Sequence, residues 1–279
     1  RDKASPLRQL LDQKFPNTRA VQSGYRSSEP ILLVEGGTAN AGTLGGAFDY
    51  AIRFVLNPMY DADLARSAFR GAPDLIAEID AVIVAAQVAT GIGDRETLYR
   101  ASWALALLTE VYRVGWMPGS PLLDLRAKSQ LDAAHLLDLA QPDAVRQLSQ
   151  LRSIADAKLV PEIGPPLVLG PTFDGSLYCA ADADMVANHL LLDLKTSLGA
   201  KVNKPGGRAD RLDLLDLYQL VSYALFDFSD RYAIRRLGIY SARFGHLVTW
   251  NLSDLLEELA GHPVEVAHAR ALVRTALGA

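Results

Sequence analysis

The chain has 279 residues, 49% hydrophobic and 22% charged, enough to bury a substantial core and near the upper range for one domain. Its 28 basic and 32 acidic residues give a net charge of −4, so any nucleic-acid contact has to come from local basic patches rather than from overall charge. A single cysteine, Cys179, excludes an internal disulfide and fits a reducing cytoplasm. Residues 1–14 are charged and amphipathic, unlike a signal peptide, and the apolar run 81–86, bracketed by Asp80 and Gln87, is too short for a membrane span.

Ser5 followed by Pro6 predicts a short helix with a serine N-cap and proline in its first turn. A glycine-rich turn then leads to a helix carrying Asp49. Residues about 61–160 read almost wholly helical: 74–89 ending at Gly91, 94–114 ending at Gly115, and two more near 129–140 and 142–158. The proline- and glycine-bearing stretch 161–171 marks a change of architecture. Beyond it the pattern predicts a strand at 167–169, a turn at Asp174 and Gly175, a hairpin, a helix around Gln219, strands near 234–240 and 247–252, and a covering helix over 264–277.

The hairpin holds the most informative residues. Apolar runs at 177–186 and 190–196 flank a short polar turn containing Asn188 and His189. Strand side chains alternate faces, so Asp182 and Asp184 share one face, and Asp193 and Lys195 share one face of the next strand. Leu190, Leu191, Leu192 and Leu194 mark that strand as buried, and Asp and Lys are seldom buried unless paired or bound to metal. Carboxylate oxygens are the ligands Mg²⁺ prefers, and a divalent ion can activate water while stabilising a phosphorane. The lysine would orient that water or neutralise developing charge. Taken singly, each charged residue also suits a solvent-facing position in a hairpin.

Gln219 and Tyr223 lie four apart, on one face of their helix; alone, they equally describe an ordinary amphipathic helix. Asp49 and Arg53 have the spacing of an ion pair on an exposed helix. Basic residues gather at Lys201, Lys204, Arg208 and Arg211, in a glycine- and proline-bearing loop directly after the Asp-x-Lys strand, and again at Arg231, Arg235 and Arg236. Such a loop can touch a phosphate backbone or simply be solvated. Other chemistries lack their residues: the five His are dispersed, no phosphate-binding glycine loop or G-x-S-x-G elbow occurs, and Trp103, Tyr112 and Trp116 read as packing residues of the helical region.

Asp184, then Asp193-Leu194-Lys195-Thr196, then Gln219-x-x-x-Tyr223, in that order, resemble the motifs of the PD-(D/E)xK nuclease superfamily, in particular its RecB-like branch. Residues 42–54 resemble the first-motif helix of that branch, with Asp49 standing where a histidine is usual and Arg53 where an acid is usual. The resemblance covers residues about 40–56 and 166–250. It implies an α/β fold with a restriction-endonuclease-like αβββαβ core and mixed central sheet, in a single domain over 1–279 with a helical insertion at about 61–160. It also implies a Mg²⁺- or Mn²⁺-dependent nuclease acting on DNA, in repair and recombination or in defence against foreign DNA. Asp184, Asp193 and the main-chain carbonyl of Leu194 would hold the metal, with Asp49 an additional candidate ligand. Lys195 would position the nucleophile, Gln219 and Tyr223 would orient the site, and Asp182, Arg53 and Thr196 would support it or contact phosphate. The competing expectation is a catalytically inactive nucleic-acid-binding or assembly protein that keeps this fold, to which Arg53 is the pointer.

Overall fold

The structure, a computed structural model, describes residues 4–202 and 207–279. It divides into two units, Arg1–Leu33 with Lys158–Ala279, and Val34–Ala157. Helix α1 (Pro6–Lys14) starts as expected at Ser5, whose hydroxyl accepts the Arg8 N–H at 3.3 Å. Helix α2 (Thr18–Arg26) was not apparent in the sequence. Its apolar period is marked only by Val21 and Tyr25 and it contains Gly24, so periodicity is too sparse to show it. Leu11, Phe15, Val21 and Tyr25 enter the core of the first unit.

The second unit is helical: α3 (Ala41–Leu56), α4 (Pro73–Ile92), α5 (Arg95–Val114), α6 (Pro121–Ala127), α7 (Ala133–Asp138) and α8 (Pro142–Lys158), the last reaching the unit boundary. Asn40 caps α3 by accepting the Gly42 and Thr43 N–H groups, and Asp94 caps α5. Helix α5 is buried almost all round, and Gly46 of α3 faces it where an added Cβ would lie 3.1 Å from the Ala106 Cβ, so small residues set the approach of the two helices. Two expectations need correction. Helix α4 passes through Gly91 and stops at Gly93 (φ 78°), because only the left-handed residue ends the ladder. The helix expected at 129–140 shrinks to α7, with α6 preceding it. By length and composition alone α4, at 20 residues, would suffice to cross a membrane; here it packs against α5.

The remaining elements are β1 (Leu167–Leu169), β2 (Met185–Ala187), β3 (Leu190–Lys195), β4 (Ala200–Lys201), β5 (Arg208–Ala209), α9 (Leu214–Phe226), β6 (Arg236–Ser241), β7 (His246–Asn251), α10 (Leu252–Ala260) and α11 (Val266–Leu277). Five strands form a mixed sheet in the order β1-β2-β3-β6-β7, antiparallel except for the parallel pair β3 and β6, which α9 connects. With 56% helix the chain is α/β in class. Strands β4 and β5 form a separate ribbon between β3 and α9, and Lys204 lies outside the described residues.

The hairpin is narrower than expected. Residues Asp174–Leu177 form a 3₁₀ turn, Asp182 keeps a lone bridge to Thr172, and regular pairing begins at Met185. Asn188 and His189 have φ of 47° and 61°, the pattern of a type I′ turn, whose twist suits a two-residue hairpin. Leu190, Leu191 and Leu192 are all buried, each contributing about 2 kcal/mol of apolar burial. Opposite them Gly238 is required: a Cβ there would meet the Leu192 and Leu190 Cδ1 atoms at 3.0 and 3.1 Å. Helix α9 packs on β3 and β6 through Leu217, Leu220, Val221 and Ala224, one apolar stripe at helical spacing. Helix α10 follows β7 without a break, where the sequence suggested a strand reaching Leu252. Asn251 ends that strand by accepting the Ser253 and Asp254 N–H groups.

A buried carboxylate ties α2 to the sheet. Asp210 accepts hydrogen bonds from the Tyr25 hydroxyl (2.7 Å), the Ser241 hydroxyl (2.8 Å) and the Arg211 N–H (3.0 Å), and lies 2.9 Å from His246 Nδ1. Burial alone would raise its carboxyl, but the contacts with His246, Tyr25 and Ser241 outweigh it and hold it below the usual range. A depressed carboxylate contributes stability that is complete above its unfolded value, about 4, and is lost as pH falls through the folded value. Asp210→Ala is therefore expected to cost about 2–4 kcal/mol at pH 7, by orphaning Tyr25 and Ser241. In urea melts the gap from wild type should shrink at pH 3; a gap independent of pH would refute the assignment.

Candidate functional site

The last regular pair of the β2–β3 hairpin is Met185 with Leu192, so the next step sets Asp184 opposite Asp193. Asp184 Oδ2 accepts the Leu194 N–H at 2.5 Å. The Lys195 carbonyl accepts the Ala242 N–H at 2.7 Å, on the β6 side of the strand. Backbone groups alternate sides along a strand, so the Leu194 carbonyl turns the other way, towards Asp184. Asp193 is buried, 5% exposed.

Helix α9 faces this strand end with a polar edge. Lys195 Nζ lies 2.9 Å from Asp193 Oδ2 and 3.0 Å from Asp216 Oδ1, and donates to Gln219 Oε1 at 3.0 Å. Gln219 Nε2 in turn donates to the Tyr223 hydroxyl at 2.7 Å, and the Tyr223 ring stacks on Phe173 with centroids 5.9 Å apart. The Q-x-x-x-Y residues thus form a relay that ends on the lysine.

Burial pushes the Asp193 carboxyl upward; the Lys195 ammonium opposes this, while the charges of Asp184 and Asp216 add to it. Burial would lower Lys195, but Asp193 and Asp216 outweigh it and hold its proton more firmly. Tyr223 is pushed up to about 12, first by burial and also by the charges of Asp193, Asp182 and Asp184, so all three hairpin carboxylates bear on one hydroxyl. Apart from the ammonium contact, the buried Asp193 Oδ2 has no hydrogen-bond partner among the described residues.

Asp184, Asp193, Leu194, Lys195, Gln219 and Tyr223 therefore come together, with Asp182 at their margin. The Thr196 carbonyl, just beyond, accepts from Arg243 Nε at 2.7 Å. Asp49 and Arg53 belong to the helical unit. There Arg53, only 3% exposed, forks onto Asp49 at 2.7 and 2.8 Å and donates to the Tyr60 hydroxyl at 2.7 Å. The ion pair expected on an exposed helix face has a buried arginine and a half-buried aspartate, and its guanidinium has fixed partners. In the basic clusters, Arg211 pairs with Asp213 and Arg235 with Asp230.

Asp216 was missed by sequence reasoning. It stands three residues before Gln219, the spacing of one helix face, but no local pattern sets it apart from the neighbouring acids Asp210 and Asp213. The Ser28, His246 and Asp210 chain was missed too: Ser28 Oγ lies 2.8 Å from His246 Nε2. Its order is that of an acyl-transfer triad. Ser28 follows the carbonyl end of α2, however, where an oxyanion is disfavoured, and the chain is read as structural.

Among the described residues no three His, Cys, Asp or Glu side chains gather closely enough to hold a metal by themselves. The donors present still suit a hard divalent cation, which takes one or two carboxylates and keeps several waters: Asp184, the buried Asp193, whose Oδ2 meets the Lys195 ammonium, and the Leu194 carbonyl. No family model, curated protein or solved structure matches the chain.

A carboxyl raised by burial favours folding below its unfolded value of about 4, and that contribution is lost as pH rises through the folded value. Asp193→Asn removes the buried charge, so its thermal stability relative to wild type is expected to rise with pH in metal-free buffer while divalent-cation binding is lost. A melting-temperature difference that falls with pH would contradict the electrostatic reading.

Proposed function

We propose that the chain is a Mg²⁺- or Mn²⁺-dependent nuclease that hydrolyses phosphodiester bonds in DNA and has a restriction-endonuclease-like core. The observation that carries the reading is the Lys195 ammonium, set beside buried Asp193 at a central strand end, opposite Asp184, and gripped by Gln219 from the crossover helix. The fold assignment is supported by the helix α3, the antiparallel run β1-β2-β3, the crossover α9 and the parallel strand β6, in that chain order.

When bound, the divalent ion would supply an activated water and charge neutralisation at the phosphorane. Lys195 offers a compact charge that orients the attacking water, its direction set by Gln219. Tyr223 holds the Gln219 amide so that its oxygen faces the lysine. Beside the site, between α1 and α9, an open groove of about 810 Å³ is lined by Arg8, Arg211, Asp216, Tyr218 and Gln219, with room for a nucleic-acid strand. A second reading, an inactive nucleic-acid-binding or assembly protein, is favoured by one observation: Arg53 stands at an acidic motif position and is locked onto Asp49.

Incubation with linear, circular and single-stranded DNA in Mg²⁺, Mn²⁺ or chelator separates the two. Metal-dependent cleavage that falls at least about a hundredfold in Lys195→Ala, and is not restored by Lys195→Arg, is the expected result. DNA binding without cleavage under any metal would favour the inactive protein. Gln219→Ala and Tyr223→Phe should reduce cleavage more than they reduce melting temperature, because their hydrogen bonds serve Lys195 rather than the core. Parallel losses would make α9 an ordinary packing helix.

A further inference from the structure

The lysine has two carboxylates, and only one of them belongs to the expected metal site. Lys195 Nζ sits between Asp193 Oδ2 at 2.9 Å, on β3, and Asp216 Oδ1 at 3.0 Å, on α9. Resting on the nuclease reading above, we infer that Asp216 is a positioning residue: it receives the ammonium when a divalent cation takes Asp193, making metal entry and lysine placement one coupled event.

Without metal, a buried carboxylate beside Asp184 needs a cation, and the ammonium is the one within reach. A divalent ion held by Asp184 and Asp193 would therefore contend with Lys195 for the same buried carboxylate. The ammonium has three donors and already meets Gln219 and Asp216, so it yields Asp193 by rotating on its flexible stem and keeps two contacts. Asp216 is suited to receive it. It lies in the first turn of α9, where the helix favours a negative charge, and its side chain is 32% exposed against 7% for Asp193, so water reaches it as well as the ammonium. Asn at this position keeps the shape and loses the charge, leaving the ammonium on Asp193 in competition with metal.

The test is Mn²⁺ titration of the full chain, followed by the electron paramagnetic resonance signal of free Mn²⁺, in wild type, Asp216→Asn, Asp216→Glu, Lys195→Met and the double variant Lys195→Met with Asp216→Asn. Asp216→Asn should weaken Mn²⁺ binding roughly tenfold, a common size for coupled sites. Asp216→Glu should restore it, and Lys195→Met should tighten it. In the Lys195→Met background the Asp216→Asn effect should largely vanish, because Asp216 acts through the lysine. An equal loss in both backgrounds, or weaker binding in Lys195→Met, overturns the inference while leaving the metal site standing. Failure of the wild type to bind Mn²⁺ overturns the metal reading and this inference with it.

Discussion

A carboxylate buried at the end of a central strand has few ways to remain there, and Asp193 uses an ion pair that is itself held in place. Its oxygen meets an ammonium two residues along the same strand, and that ammonium is held from the other side by Asp216 and Gln219 of α9. The contact constrains more than two side chains. It sets the rotation of α9 about its own axis, since Asp216, Gln219 and Tyr223 must face the strand end while Leu217, Leu220 and Ala224 face the core. An isolated buried pair of this kind is weak support for stability, because desolvation offsets the attraction. The cost is more readily understood as the requirement of a site than as a device for holding the fold.

The hairpin decides whether that site exists at all. Side chains alternate along a strand, so a slip of one residue in the β2–β3 register would carry Asp193 and Lys195 to the opposite face. The two-residue turn at Asn188 and His189 pins the register, and Leu190 and Leu192 packed over Gly238, with Leu191 buried on the other face, oppose displacement of β3. Asp184 then reaches the Leu194 N–H beyond the last regular pair, using the point where the ladder opens. Ordinary hairpin and packing physics thereby delivers two acids and a backbone carbonyl to one edge.

What could be read from the sequence was what local periodicity writes. The apolar runs around a turn, the Asp-x-Lys alternation and the four-residue spacing of Gln219 and Tyr223 each need only neighbouring residues to be interpreted, and the structure has all three. Asp216 was hidden because its partner is 21 positions away in sequence and no local pattern distinguishes it from Asp210 and Asp213. Helix α2 was hidden by sparse apolar marks, and α10 by a strand that passes straight into it at Asn251. The Asp210 hub joins α2, β6 and β7, and no local pattern announces a contact across 185 positions such as Tyr25 to Asp210.

Asp49 and Arg53 show how a buried arginine is accommodated at a position where the resemblance led to the expectation of an acid. Exchanging an acid for arginine in isolation would leave a positive charge buried in the helical unit, yet here Asp49 neutralises it through two parallel contacts and Tyr60 takes a further donor. Both Asp49 oxygens meet the guanidinium, so acting as a ligand would draw Asp49 away from a buried arginine. The other chemically marked residues, Asp184, Asp193, Lys195, Asp216, Gln219 and Tyr223, all come from the α/β unit. The Asp49–Arg53 pair therefore bears on how α3 is held within the helical unit, and the polar cluster at the strand end is built by β3 and α9.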